Sequence, residues 1–269
     1  MRPDGWAAPL SVRPVERWPQ DGQTTDLLAA EVPVALEFNG ISHAVMLATP
    51  QDLEAFALGF ALTEGILDTP SQCYGVEVEP AQTESVQGFA IKIDIAASCF
   101  QRLKLQRRSL AGNTGCGLCG VESLAALGPP LVAMERQPWL ADLTVDALLR
   151  AASDLPGRQM LNQQCGSLHA AAWVSPQGEV LEVMEDVGRH NALDKLLGHR
   201  ARNSKLQGPG LVMMTSRASH ELIRKCVRMG VGAMAAVSAP TDFAVDMANR
   251  SGLQLWGLVR GARAVRYTA

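Results

Sequence analysis

The stretch EVLEVMEDVGRHNALDKLLG, residues 179–198, decides how the second half of this chain is read. An apolar run that ends in two acids meets a glycine at 188, and NALDKLL then opens with helical spacing. A strand, a tight turn and a helix in that order form the repeating unit of α/β proteins. The same alternation extends in both directions. Upstream lie a helical pattern at 145–155 (VDALLRAASDL) and a strand pattern at 169–174 (HAAAWV). Downstream come strand GLVMMTS, helix ASHELIRKCVRM, strand VGAMAAVS, helix TDFAVDMAN and strand LQLWGLVR, which reaches residue 260. Strands that are apolar throughout are covered on both faces, so residues 141–269 predict a three-layer α/β domain.

The first half has a different pattern. VPVALEF and ISHAVML flank Asn39-Gly40, a pair suited to a tight primed turn, and predict a hairpin. A helix is expected next, with Thr49 as N-cap, Pro50 at the first helical position, Asp52 reaching back and Gly65 ending it. YGVEVE and GFAIKIDI predict two further strands. Residues 21–110 therefore read as a small α+β domain, which makes the chain α+β overall. Residues 1–20, rich in Pro and Arg, read as a flexible arm, and 111–140 as a loop and linker marked by Gly128-Pro129-Pro130 and Pro138.

Composition narrows the functional classes. Hydrophobic residues make up 47% of the chain and charged ones 19%, a globular balance. The net charge of −3 gives no reason to expect nucleic acid as a partner. No apolar run approaches the roughly 20 residues of a membrane span, and the N-terminus lacks the apolar core of a secretory signal. The six cysteines are mostly scattered among apolar patterns in a chain large enough not to need disulfides. A reducing, cytoplasmic compartment is expected.

Two of the cysteines stand together, in AGNTGCGLCGVES at 111–123. Gly115, Gly117 and Gly120 spell a dinucleotide fingerprint, but QRRSLAGNT before them is too polar for the buried strand that fingerprint needs. Cys116 and Cys119 spell CxxC, suited to a redox dithiol, half a zinc site or a sulfur carrier. The flanking glycines leave the thiols little cover. Arg107 and Arg108 before them, and a short helix at VESLAAL after them, would favour a thiolate. Zinc would need further ligands, and Cys165 with His169 is the nearest such pair.

A second constellation follows the strand that ends at 186. Arg189, His190 and Lys195 offer cations for phosphate oxygens. Asn191 and Asp194 read as residues fixing the helix start, and His190 with Asp194 would otherwise be an ordinary surface pair. In TSRASHE, Ser216 and Ser219 flank a helix start beside Arg217, either as an anion site or as plain N-capping by Ser216.

Four segments, CGLCG at 116–120, GSLHAAAW with EDVGRHNALDKLLG, TSRASHELIRK and SAPTDFAVDMA, together resemble the FdhD family from about Val32 to Tyr267. The resemblance implies a sulfurtransferase that takes sulfur from a cysteine desulfurase as a cysteine persulfide. It would pass that sulfur to the molybdenum of bis-molybdopterin guanine dinucleotide for formate dehydrogenase. Cys116 matches the family's first motif cysteine and is the expected carrier, with Cys119 as the resolving thiol. On the same basis Glu185 and Asp186 would accept from guanine N–H groups. Leu258, Val259, Arg260, Gly261, Ala262 and Arg263 would line the cofactor site, where GDP-like nucleotides would also fit. A homodimer and a C-terminal domain similar to cytidine deaminase are implied as well. The deaminase metal motif is missing, because Ala170 and Ala171 follow His169 and no PCxxC lies downstream. Cys165-Gly166-Ser167 also departs from the family's usual Thr-Gly-Gly, and Cys165 is either a buried small residue or a relay thiol. Two other classes remain open: a zinc-binding chaperone module for apo-formate dehydrogenase, and a dithiol oxidoreductase.

Overall fold

The computed structural model describes residues 7–19, 22–84, 86–109, 131–206 and 208–268. The first elements are β1 (Leu10–Glu16) and β2 (Gln23–Ala29), an antiparallel pair that forms its own two-stranded sheet. Part of the expected flexible arm is thus a strand: apolar Val12 faces Leu27 and Val15 faces Thr24 across the ladder.

A four-stranded sheet follows, built from β3 (Val32–Phe38), β4 (Ile41–Ala48), β5 (Cys73–Gln82) and β6 (Gln87–Ile95) in the order β4-β3-β6-β5. The Asn39-Gly40 turn is as expected, with both residues at positive φ, 45° and 77°. Asn39 also exchanges side-chain hydrogen bonds with the main chain of Ile95, which fixes the hairpin tip against β6. Helix α1 (Leu53–Thr63) and helix α2 (Ala97–Ser109) contribute to one face, where Val34, Leu36, Phe38, Phe56, Phe60, Phe89, Ile91, Ile93 and Leu103 form a core. The basic RLKLQRR run lies within α2. Helix α1 begins later than its sequence suggests. Its N-cap is Asp52, because Thr49 spends its N–H on Asp186, its hydroxyl on Val187 and its carbonyl on Lys195.

The second half contains α3 (Val145–Arg158), the short α4 (Asn162–Cys165), β7 (His169–Val174), β8 (Val180–Asp186), α5 (Arg189–Arg202), β9 (Leu211–Met214), α6 (His220–Arg228), β10 (Ala233–Ala236), α7 (Asp242–Ser251), β11 (Gln254–Arg260) and β12 (Arg263–Arg266). Its six strands form one mixed sheet in the order β12-β11-β10-β9-β7-β8. Side chains alternate between two cores, as both-face burial requires. Ala171, Trp173, Val212, Met214, Met234 and Leu255 face α5, α6 and α7. Ala172, Val174, Met213, Ala235 and Val259 face Leu148, Ala151 and Leu155 of α3. The three-layer α/β architecture expected from the alternation is therefore present. Thr144 and Thr241 cap α3 and α7 by accepting from the N–H groups of Ala147 and Ala244.

The two halves meet where α1 crosses α5. A Cβ on Gly198 would press into the carbonyl oxygen of Ala55, and one on Gly59 into that of Asp194, so only glycine permits this close approach. Trp173, in the sheet beneath α5, carries the Arg200 guanidinium 3.9 Å from its ring centre.

Candidate functional site

Strands β9, β10 and β11 run parallel, and β8 shares their direction because β7 between β8 and β9 is antiparallel to both. Their carboxyl ends, the N-terminus of β7 and the starts of α5, α6 and α7 therefore collect along one edge of the sheet, where α/β proteins bind ligands. Most of the residues proposed from sequence share this edge: Arg189 and His190 open α5, Ser216 and Arg217 lie between β9 and α6, and 258–263 close β11. The loops are bonded to one another. Thr215 N donates to Ala170 O at 3.1 Å, Thr241 N to Ala218 O at 3.0 Å and Leu258 N to Ser238 O at 3.1 Å.

The 258–263 segment is irregular in a way its sequence does not reveal. The β11–β12 register slips between Gly257 and Arg260, and Leu258 holds a left-handed φ of 53°. A bulky residue in that region is strained, and such strain concentrates at functional positions. Gly261, also at positive φ, makes the turn, and Arg260, Ala262 and Arg263 are exposed. Val259 is the exception. Its side chain is fully buried in the α3-side core, so it offers a ligand only its main chain.

The EDVGRHNALDK motif divides in two. Asp186 and Lys195 are fully buried and paired at 2.7 Å, so their side chains do not reach a ligand at the edge. Asp186 also accepts from the N–H groups of Thr49 at 3.0 Å and Gly188 at 2.8 Å, and from the Asn191 amide at 2.9 Å. Lys195 Nζ donates to Thr49 O at 3.0 Å, and Asn191 donates to Leu47 O at 2.8 Å. These residues fasten α5 to the end of β4. Asp194 is likewise buried rather than a surface partner of His190, since it meets Lys225 at 2.9 Å and Thr63 at 2.7 Å. Lys225 adds Glu64 at 2.6 Å. Burial alone would lower the Lys225 pKa, but the Asp194 and Glu64 carboxylates outweigh it and hold the ammonium above its ordinary value. Glu185 accepts from the N–H groups of Leu161 and Asn162 at 2.9 and 2.8 Å, so it caps α4 instead of facing guanine.

Arg189 and His190 remain on the rim. The Arg189 Nε is enclosed and finds no acceptor among the described residues. His190 Nε2 lies 2.7 Å from a Glu221 carboxylate oxygen, off the hydrogen-bond line. His169 completes the group. Burial lowers its pKa first, and the positive charges of Arg189 and His190 lower it further. Ser216 does not cap α6: its hydroxyl donates to Arg217 O, and Ser219 takes the N-cap position without a side-chain bond. Arg217 is exposed on the same loop.

A cavity of about 750 Å³ opens at the opposite edge of the sheet, before β9 and β10, between Gly210, Gly232, Trp139 and Leu62. Arg228 in its wall donates to Leu62 O and lies 3.7 Å from an Asp68 carboxylate oxygen, Gln137 adds an amide, and the remaining surface is largely apolar. Among the described residues no group of three or more His, Cys, Asp or Glu is spaced to hold a metal ion. No helix among them is long and apolar enough to cross a membrane. Cys116 and Cys119, the helix expected at VESLAAL and the linker at 128–130 lie outside the described residues. Cys165 is a free, half-buried thiol that ends α4, four residues before His169.

Sequence reasoning missed Glu221, which reads there as an ordinary acid in a first helical turn. It also missed Thr49, Thr63, Glu64 and Lys225 as partners of the motif. Their contacts span long sequence separations and leave no local signal.

Comparisons with known proteins agree with this architecture. A crystal structure from Desulfotalea psychrophila, assigned as a formate dehydrogenase accessory protein, superposes with a TM-score of 0.65 at 21% identity, covering 97% of this chain and 96% of that one. A protein of Variovorax paradoxus named sulfur carrier protein FdhD is 50% identical over 268 residues, 100% of this chain and 93% of the relative. One of the same name from Chromobacterium violaceum is 50% identical over 247 residues, 91% of this chain and 89% of the relative. The FdhD/NarQ family model matches residues 29–269. With that match over most of its length, the chain belongs to the FdhD/NarQ family.

Proposed function

We propose that this protein is a sulfur carrier in formate dehydrogenase maturation, loading sulfur on Cys116 and delivering it to a guanine-dinucleotide molybdenum cofactor held at the carboxyl edge of the sheet. The observation that carries the acceptor site is Arg189: an enclosed guanidinium nitrogen without an acceptor among the described residues, on the same sheet edge as Arg217, Arg260 and Arg263. A buried donor left unpaired costs free energy, so a site of this kind is built for an anion. Relatives of about 50% identity carrying the name sulfur carrier protein FdhD support the sulfur chemistry.

The chain's residues would act in a fixed order. The Cys116 thiolate attacks the outer sulfur of a cysteine desulfurase persulfide. A new S–S bond forms on Cys116, and the desulfurase thiolate leaves. Attack by the Cys119 thiolate on the inner sulfur then expels the outer atom as sulfide to the acceptor and leaves a Cys116–Cys119 disulfide. A dithiol reductant must reopen that disulfide before the next cycle. At the sheet edge Arg189, Arg217, Arg260 and Arg263 hold phosphates, and the turn at Gly261 lets the acceptor approach the main chain. GDP-like nucleotides would occupy the same edge. The partners are the desulfurase, formate dehydrogenase and a second copy of this chain, and the setting is the cytoplasm.

Incubation with an active cysteine desulfurase and cysteine tests the carrier step by intact mass. The expected result is a gain of one sulfur atom, absent in Cys116→Ala. No gain in the unaltered protein would overturn the reading.

A further inference from the structure

Helix α2 holds the RLKLQRR run and ends at Ser109, seven residues before Cys116. Its two sides are unlike. Cys99 and Leu103 are buried in the core of the four-stranded sheet, and Phe100 packs against that core. Arg102 is tied down as well, donating to Ile66 O at 2.9 Å and to Asp68 at 3.0 Å. On the outer side Gln101, Lys104 and Leu105 are exposed, Leu105 by 64%. Position 108, an arginine, follows 104 and 105 at helical spacing. We propose that this outer side of α2 docks an acidic surface of the protein that donates the sulfur, the cysteine desulfurase, and so brings its persulfide to Cys116. The inference rests on the carrier reading given above and adds the surface on which loading takes place.

Charge argues for a partner of this kind. The chain as a whole carries a charge of −3, yet α2 has four cations and no acid. Elsewhere exposed cations stand beside carboxylates: Arg17 with Asp26, Lys92 with Glu79 and Lys205 with Glu182. Lys104 does not. Among the described residues its ammonium meets the Phe100 ring, 4.1 Å from the centre, and no carboxylate. An exposed leucine beside an unneutralised cation is complementary to a surface that sets acids around an apolar contact. Position argues the same way. Seven residues span at most about 25 Å when fully extended, so the thiol to be loaded lies within that distance of the helix end.

Charge reversal tests the proposal. Lys104→Glu, the double variant Lys104→Glu with Arg108→Glu, and Leu105→Ala are each loaded by active desulfurase and cysteine. The initial rate of sulfur gain on Cys116 is read by intact mass at low and high salt. Alkylation of Cys116 by iodoacetamide, an uncharged electrophile, is timed in the same proteins. The expected result is loading slowed about tenfold or more in the double variant at low salt. Each single variant should lose less, and the differences between the charge variants and the unaltered protein should shrink as salt screens the charges. Alkylation should keep its rate. Alkylation slowed in step with loading would mean that the cations act on the thiol rather than on the partner, and would overturn the proposal. Loading at the unaltered rate in every variant would also overturn it, including the case in which the variants lose binding to apo-formate dehydrogenase instead. No sulfur gain in the unaltered protein would overturn the carrier reading and this surface with it.

Discussion

Helix α5 carries charge on two of its surfaces, and they are built differently. On the surface turned toward α1 and β4, Asp194 and Lys195 are buried, and each polar atom points at a protein partner: Lys225 and Thr63 for Asp194, Asp186 and the Thr49 carbonyl for Lys195. At the N-terminal rim, Arg189 keeps an enclosed nitrogen without an acceptor, and His190 has a single off-line carboxylate. All four lie in one short motif, so membership of the motif does not say which residues bind. The satisfied charges tie α5 to its neighbours, and the rim nitrogen of Arg189 has no such tie.

The comparison can be broken by removing one member of each set. The largest effect is expected from Asp194→Ala, which leaves the buried Lys225 ammonium with Glu64 and Thr63 and leaves the Thr63 hydroxyl only the longer bond to Phe60 O at 3.4 Å. Breaking a buried pair on one side costs about 3–5 kcal/mol. Denaturant unfolding should show a loss of that order, and a loss below about 1 kcal/mol would mean the inner network is not structural. A smaller loss is expected from Gly198→Ala, whose methyl would strike the Ala55 carbonyl and push α1 off α5. Overpacking of this kind costs about 1–3 kcal/mol. Thermal unfolding reads it, and GDP affinity measured well below the melt should be unchanged.

Much of the fold is legible in the sequence. Alternating strands and helices give the three-layer second half, and Asn39-Gly40 gives the hairpin with its positive φ values. The missed features depend on distant partners. Thr49 has the chemistry of a helix cap, but bonds to Asp186, Val187 and Lys195 take it out of the helix. Asp186 and Lys195 look like ligand residues until each is seen to have the other. Val259 belongs to the segment that the resemblance gives to the cofactor, whereas its side chain lies in the α3-side core. The site edge itself follows from strand direction, which alternation predicts, and Arg189, His190, Ser216, Arg217 and the 258–263 turn lie along it. The Glu221 contact joins two helix starts and has no signature within either.

The most direct test of the central claim, that the rim of α5 rather than its inner face holds the acceptor's phosphates, is the GDP affinity of Arg189→Ala at neutral pH. Loss of a charge-assisted bond predicts binding weaker by about ten- to a hundredfold, with the melting temperature and the sulfur gain on Cys116 unaltered. Unchanged GDP affinity in that variant would contradict the account.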